Sequence, residues 1–399
     1  MSEKLNSKGR IGLVLSMVPA YSETFFRNKI SILGKAGYEV VLFASGGRDT
    51  SGTIPRIVTG YDTELPRHRK FLPLLLALAR LLLHAPAALR LYRMNREDGF
   101  SRNRNLASLI VSAHILGHRV DWLHFGFASN ALLMENVARA IRAKMAVSIR
   151  GFDIGILPIK NPGCYRLLWK RIDRLHYISD DLYRLALADG LPPDVPAEKI
   201  EPAVDASLGG KVSVKEGDIP AEPTFVTVGR LHWKKGYPLM LHALSKLKEQ
   251  GLRFKYRIVG EGEDREQIVY LCHALGLTGQ VELMGRRSHA ETLQIMGSGD
   301  IYLQYSIQEG FCNSVLEAQL LGRLCIVSDA EGLSENVLHG RTGWVVPRNE
   351  SLLLKHTIES VLGMTEAERE AIREAASSRI RDEFSLEVQQ RKFIGFYGD

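Results

Sequence analysis

Two acids, Glu309 and Glu317, stand with seven residues between them in Gln308-Glu309-Gly310-Phe311-Cys312-Asn313-Ser314-Val315-Leu316-Glu317. The first precedes a glycine, and the second falls within the helical pattern that follows. Two chemistries use such a pair. A pair of carboxylates hydrolyses a glycosidic bond by acid and base catalysis, or each acid clamps one end of a bound ligand. Glu309 follows the apolar run Ile301–Ser306, so it falls in a strand-to-helix turn. The backbone N–H groups of Gly310 to Asn313 are then placed to hold an anion or a sugar oxygen. A solvated acidic face is the ordinary alternative for this motif alone. Upstream, in Val228-Gly229-Arg230-Leu231-His232-Trp233-Lys234-Lys235, a strand ends and two cations, Arg230 and Lys235, lie five residues apart before an apolar helix. Cations beside a helix N-terminus make an anion site, and arginine grips two phosphate oxygens at once. A solvated basic turn is the plain alternative here.

The elements that must position these groups are read from the alternation of apolar runs with helical patterns. In the first half the runs are Arg10–Met17, Tyr38–Ser45, Val120–Phe127, Met145–Gly151 and Leu175–Asp180. Ser22 is a good N-cap for an amphipathic helix reaching about Lys35. A polar linker at 207–222 precedes a second series: Pro223–Arg230, Lys255–Gly262, Gln280–Gly285, Ile301–Ser306, Leu324–Asp329 and Gly343–Pro347. Such alternation predicts two doubly wound α/β domains with parallel sheets, whose ligands sit at the carboxyl ends of the strands. No G-x-G-x-x-G follows the first strand, which disfavours a nicotinamide enzyme.

A length of 399 residues suits two domains, and 45% apolar with 24% charged residues is a soluble globular composition. Four cysteines without a C-x-x-C pair, and an N-terminus lacking an apolar signal-peptide core, predict a cytoplasmic setting. The net charge of +7 is concentrated: between Asp62 and Arg119 there are ten Lys and Arg against four Asp and Glu, a net +6. That stretch includes Phe71–Leu83, FLPLLLALARLLL, whose uncharged run is far short of the ~20 residues a spanning helix needs. As a helix it places Pro73, Ala77, Arg80 and His84 on one narrow stripe, with leucine over most of the rest. Either this helix is buried against its own domain, or residues 67–96 form a surface that docks on anionic lipid. Nucleic acid is disfavoured, because the charge is interleaved with leucines and not with stacking aromatics.

Taken together, the anion turn, the Glu309/Glu317 pair and the segments between resemble the retaining glycosyltransferases of family 4, which have the GT-B fold. Glu309 and Glu317 match that family's E-x7-E motif, and Arg230 and Lys235 its diphosphate-binding pair. The stretch Pro19–Val40 is similar to the P-x-x-SETF opening of exopolysaccharide and colanic-acid-type members. The resemblance implies two Rossmann-like domains facing across a cleft: an acceptor domain over 1–206, a nucleotide-sugar domain over 207–380, and a C-terminal helix, 381–399, returning to the first. It implies that Glu309 binds donor-sugar hydroxyls and Glu317 the ribose, with Gly310, Phe311, Cys312, Asn313 and Gly285 also at the donor. Ser22, Glu23, His124 and Asp153 are implied contacts to acceptor or donor sugar. One departure stands out. Many relatives carry His-Gly-x-Asp, whereas this chain has Arg150-Gly151-Phe152-Asp153. Arginine cannot act as a general base. Arg150 therefore either stabilises charge on the leaving phosphate, yields that contact to His124, or is salt-bridged to Asp153 for structure.

The expected activity is retaining, metal-independent sugar transfer from a UDP- or GDP-linked donor to a glycan or lipid-linked acceptor in cell-surface polysaccharide biosynthesis. No metal or other cofactor is expected, since fixed cations replace the metal. The alternatives are a nucleotide-sugar epimerase of similar architecture and a non-catalytic nucleotide-sugar binder.

Overall fold

The computed structural model describes residues 8–19, 24–47, 49, 52–210, 212–215 and 217–398. The chain divides into two compact units, one of Met1–Ile200 with Gln390–Asp399, the other of Glu201–Gln389.

The first unit holds seven strands: β1 (Gly9–Met17), β2 (Tyr38–Gly46), β3 (Ile57–Thr59), β4 (Trp122–Phe125), β5 (Lys144–Ile149), β6 (Arg174–Tyr177) and β7 (Ala197–Lys199). They pair in parallel in the order β3-β2-β1-β4-β5-β6-β7. The second unit holds six: β8 (Thr224–Val228), β9 (Lys255–Val259), β10 (Val281–Gly285), β11 (Ile301–Gln304), β12 (Leu324–Ser328) and β13 (Trp344–Val346). Their order, again parallel, is β10-β9-β8-β11-β12-β13. Helices cover both faces of a parallel sheet, so its inner strands are buried on both sides and read as continuous apolar runs. Val40–Ala44 of β2 and all of β12 are buried accordingly. In both orders the chain reverses direction across the sheet once, between β1 and β4 and between β8 and β11, and the second of these crevices positions the site.

The division falls six residues earlier than the sequence suggested, after Ile200 rather than Ala206. The backbone explains it. Val204 bridges Ser385 and donates its N–H to Phe384 O at 2.9 Å, and Gln389 Nε2 donates to Glu201 O at 2.8 Å. These bonds fasten 201–204 to the second unit. The returning segment is shorter than the predicted 381–399, because the helix Glu366–Glu383 lies on the second unit. There Arg379 donates to the carbonyls of Glu335 and Asn336. Only Gln390–Asp399 joins the first unit, where Phe393, Phe396 and Tyr397 are buried in the core with Ile11, Leu42 and Ala146.

The helix Phe71–Leu83 is turned the opposite way from an ordinary surface helix. The narrow stripe faces inward: Ala77 is its one buried residue, Arg80 donates to Thr59 O at 2.8 Å, and His84 closes over Gly117. Phe71, Leu72, Leu75, Leu76, Leu78, Leu82 and Leu83 face out, Leu82 at 80% exposure. The buried-helix alternative is thereby corrected. A stripe of one proline, one alanine, one arginine and one histidine is too small and polar to anchor a leucine helix in a core. No single helix among the described residues is long and apolar enough to cross a membrane. Phe71–Leu83 and Ala85–Glu97 reach that length and apolarity only together, and a bend of 98° separates them.

Candidate functional site

In the second unit β8 and β11 are neighbours, with Tyr302 opposite Val226. The turn after β8 therefore meets the turn after β11, although 74 residues separate Lys235 from Glu309. The two turns are stitched together by Ile307 N and Gln308 N, which donate to Lys234 O at 2.7 and 3.3 Å. Gly236, at φ 66°, passes so close to Tyr305 O that a β-carbon there would collide with backbone. Gly260 and Gly262, at the end of β9, lie equally close against Gly229 O and Leu231 O. Three glycines thus let three backbone segments touch, and this contact places the charged groups.

Lys235 Nζ donates to Glu309 Oε2, and both side chains are largely buried. Burial acts to lower the Lys235 pKa, but the adjacent Glu309 carboxylate outweighs it and the ammonium is held above its ordinary value. Arg230 is exposed on the same turn. Lys234, also half-buried there, is pushed down by burial against the opposing pull of Glu309 and Glu331. Around the acid, Ser306 Oγ donates to Glu309 Oε2 at 3.4 Å, and Glu309 N donates to Glu331 Oε2 at 2.6 Å. Arg348 holds Glu331 at 3.4 Å and Asp329 at 3.1 Å. The arrangement gathers the cations Arg230, Lys234 and Lys235, with Arg348 behind them, around the carboxylates Glu309 and Glu331 at the crevice between β8 and β11. It can neutralise a diphosphate while a carboxylate beside it accepts hydroxyl hydrogen bonds.

Glu317 lies on the helix Asn313–Leu320, with its carboxylate bonded to His289 Nε2 at 2.8 Å. That hydrogen bond raises the imidazole pKa against the opposing effect of burial. The sequence reading singled out neither His289 nor Glu331, nor the further cations Lys234 and Arg348. The signal for His289 was present, since Ser288-x-x-Glu291 is a capping box that starts the helix His289–Gly297. Glu331 had none, because its place depends on an unusual backbone, φ 24°.

The other residues expected at the donor are placed as follows. The Cys312 amide is already used, donating to Asn336 Oδ1 at 3.0 Å, and the Cys312 and Phe311 side chains are buried, Phe311 against Phe384. Gly310 is buried and Asn313 exposed at the helix start. Gly285 ends β10 at φ 67°, where its carbonyl accepts from Gly260 N at 3.0 Å, two strands away from β8.

In the first unit, Arg150 follows β5 at the start of the helix Gly151–Gly155, and its guanidinium lies 3.9 Å from the Phe25 ring centroid, with Phe26 and Phe127 at 5.1 and 5.6 Å. Asp153 is buried and accepts from Ser129 N and Oγ at 3.3 and 2.8 Å. Burial, against those bonds, pushes its pKa up to about 6. The arginine is thus seated on aromatic faces, and Ser129 is the hydrogen-bond partner of the acid. His124 is corrected outright as a ligand contact. It is fully buried on β4, bonded to Ser148 Oγ at 2.7 Å and Tyr397 OH at 2.6 Å, with Lys29 Nζ at 3.1 Å. Burial first, then Lys29, drives its pKa well down. Ser22 and Glu23 lie outside the described residues.

Among the described residues no cluster of His, Cys, Asp and Glu is arranged to hold a metal.

Comparison with known proteins bears on this geometry. Residues 212–379 match the family model of the glycosyl transferases group 1. The putative colanic acid biosynthesis glycosyltransferase WcaL of Escherichia coli K12 is 28% identical over 96% of this chain and 98% of its own length. The amylovoran biosynthesis glycosyltransferase AmsK of Erwinia amylovora is 25% identical over 94% of this chain and 95% of its own. Among solved structures, Anabaena HepE in complex with UDP-glucose superposes with a TM-score of 0.70 at 15% identity, covering 97% of this chain and 98% of HepE. The segment that carries Arg230, Lys235, Glu309 and Glu317 thus matches the group 1 glycosyl transferases, and the two parallel-sheet units are those of the GT-B fold.

Proposed function

We propose that the protein is a retaining hexosyltransferase that moves a sugar from a UDP- or GDP-linked donor to a glycan or lipid-linked acceptor during exopolysaccharide assembly. One observation carries this reading: Lys235 and Glu309 are brought together beside Arg230 in the crevice between β8 and β11. Arg230 and Lys235 neutralise the diphosphate as it leaves, Glu309 orients the donor sugar, and Glu317 binds the ribose. Fixed cations there serve without a metal. The names of WcaL and AmsK support a place in exopolysaccharide biosynthesis, and the HepE complex supports a UDP-sugar donor. Incubation with nucleotide sugar alone tests the reaction class. A transferase at most hydrolyses its donor slowly without acceptor, whereas conversion to an epimer would sink the proposal.

The lipid-linked acceptor rests on the outward leucines of Phe71–Leu83 and on the adjacent cations, which suit an anionic bilayer surface at the cytoplasmic side of the membrane. Changing Leu75, Leu78 and Leu82 to Ser should abolish pelleting with anionic vesicles while leaving the fold intact, because all three are exposed. Reversing Arg69 and Lys70 should weaken pelleting most at low salt, since the attraction is screened over roughly 10 Å at 0.1 M. Undiminished pelleting of the serine variant would remove this surface from the acceptor's path.

A further inference from the structure

A chain of hydrogen bonds runs through the core of the first unit, and all of its side chains are buried. Tyr397 OH meets His124 Nδ1 at 2.6 Å, and His124 Nε2 meets Ser148 Oγ at 2.7 Å. Ser148 Oγ meets His176 Nδ1 at 2.7 Å, and His176 Nε2 meets Ile200 O at 2.9 Å. The chain crosses β4, β5 and β6 in turn. It joins Ile200, the last residue before the backbone leaves the unit, to Tyr397 of the segment that returns.

With both imidazoles neutral, the protons of this chain have one arrangement. A carbonyl only accepts, so His176 Nε2 carries the hydrogen and Nδ1 is the acceptor. Ser148 gives its single hydrogen to that Nδ1 and accepts from His124 Nε2–H. His124 Nδ1 is then left to accept from Tyr397 OH. Lys29 Nζ lies nearly equidistant from the two His124 nitrogens, at 3.1 and 3.3 Å, so it does not choose between them. A proton added to either imidazole has the same result. On His124 it occupies Nδ1 directly. On His176 it reverses Ser148, and the His124 hydrogen must move to Nδ1. Either way Tyr397 has to accept, and its own buried hydroxyl hydrogen loses its partner, which is costly.

The surroundings oppose that proton. Lys29 of the helix Thr24–Lys35 lies 4.6 Å from the Phe393 ring centroid, and Arg150 stands just past β5. From β6, Arg174 donates to Phe396 O, with Glu198 of β7 and Lys392 nearby. Tyr38 of β2 lies 6.1 Å from the Tyr397 ring. Burial first, and then Lys29 and Arg150, hold both imidazoles well below their ordinary range, while the bond to Ile200 O pulls His176 the other way. Burial, with Arg150, lowers Lys29 as well. We propose that the chain is a proton-operated latch: neutral, it holds Gln390–Asp399 in the core, and one added proton lets the segment go. Imidazoles kept neutral by docking, and free to charge near about 6.5 once released, favour docking above that pH and release below it. Because the latch acts on the fold, no substrate is needed to test it.

The measurement is hydrogen exchange of the full chain by mass spectrometry, from about pH 7.5 to about pH 5 and corrected for intrinsic rates. Protection of the amides in 390–397 should fall below about pH 6.5, approaching ~10-fold per pH unit for each imidazole that takes a proton. Strand β12 of the second unit should keep its protection over the same range. His124→Gln/His176→Gln, which cannot titrate, should flatten the dependence. Tyr397→Phe deletes a single hydroxyl and covers a failure of the double variant to fold. It should loosen 390–397 about 5-fold at neutral pH, the loss of one buried hydrogen bond. Parental protection in Tyr397→Phe would overturn the proposal. So would protection of 390–397 that is flat with pH, that stays pH-dependent in the double variant, or that is lost together with that of β12.

Discussion

Replacing Lys235 by alanine should lower kcat/KM at least ~100-fold, which corresponds to about 2.7 kcal/mol of transition-state stabilisation. Arg230→Ala should do the same, and neither the parent nor the variants should respond to EDTA. The two cations are not equivalent, however. Arg230 is exposed, so its loss removes charge and little else. Lys235 is the counter-ion of a largely buried Glu309, and truncating one partner of such a pair strands the other. Its alanine variant should therefore also melt lower than Arg230→Ala, and Lys235→Ala/Glu309→Gln should recover stability without recovering turnover. Initial rates beside thermal melts separate the two effects. Near-parental kcat/KM in both single variants, or activity lost in chelator, would take these cations out of the mechanism.

The second large effect is a difference between the two acids. Glu309→Gln should collapse turnover yet leave affinity for the free nucleoside diphosphate close to that of the parent, because that ligand carries no sugar for Glu309 to orient. It should not strengthen the affinity greatly either, although it frees Lys235, since the neutral amide still accepts from the ammonium. Glu317→Gln should weaken both the donor and the free nucleoside diphosphate by about 1.5–3 kcal/mol, the loss of a hydrogen bond to a charged group. The ribose must draw Glu317 from His289, but that imidazole is half-exposed and its ion pair correspondingly screened, so the competition offsets little. An acid/base pair for hydrolysis would instead lose turnover in both variants and nucleotide affinity in neither. Unchanged nucleotide affinity in Glu317→Gln would end its assignment to the ribose.

The sequence showed the second unit's sheet almost whole, because each of its six strands leaves an apolar run between turn residues, and β8, β11 and β12 are mostly buried. It missed β3 and β7 in the first unit. These are three-residue edge strands, and Ala197-Glu198-Lys199 has no apolar run to read. The chemistry of the site was legible as residue types, since two cations before a helix and two acids around a turn have few shared uses. The meeting of Lys235 with Glu309 was not legible from spacing, because it depends on β8 and β11 being neighbours and on glycines at 236, 260 and 262 letting backbones touch. His124 was misplaced for a related reason. Its run, Trp122–Phe125, lies on a strand covered on both faces, where alternation no longer tells an inward side chain from one facing a ligand. Arg150 was a departure visible in the sequence, but the sequence held no sign that Phe25 would carry it.

The return of Gln390–Asp399 to the first unit governs how the chain folds as it leaves the ribosome. Phe393, Phe396 and Tyr397 complete a core whose other members lie in the first 200 residues. The first unit is made first but finished last. Its core is complete only after the 189 residues Glu201–Gln389 (389 − 200) have been synthesised, which at about 5–20 residues per second takes roughly 10–40 s. Throughout that interval Lys29 and His124 lack the Tyr397 hydroxyl and the Phe393 ring that close over them in the finished protein. A chain truncated after Gln389 should therefore leave the first unit's core open where Phe393, Phe396 and Tyr397 pack, and should bind more apolar dye and melt lower than the full chain.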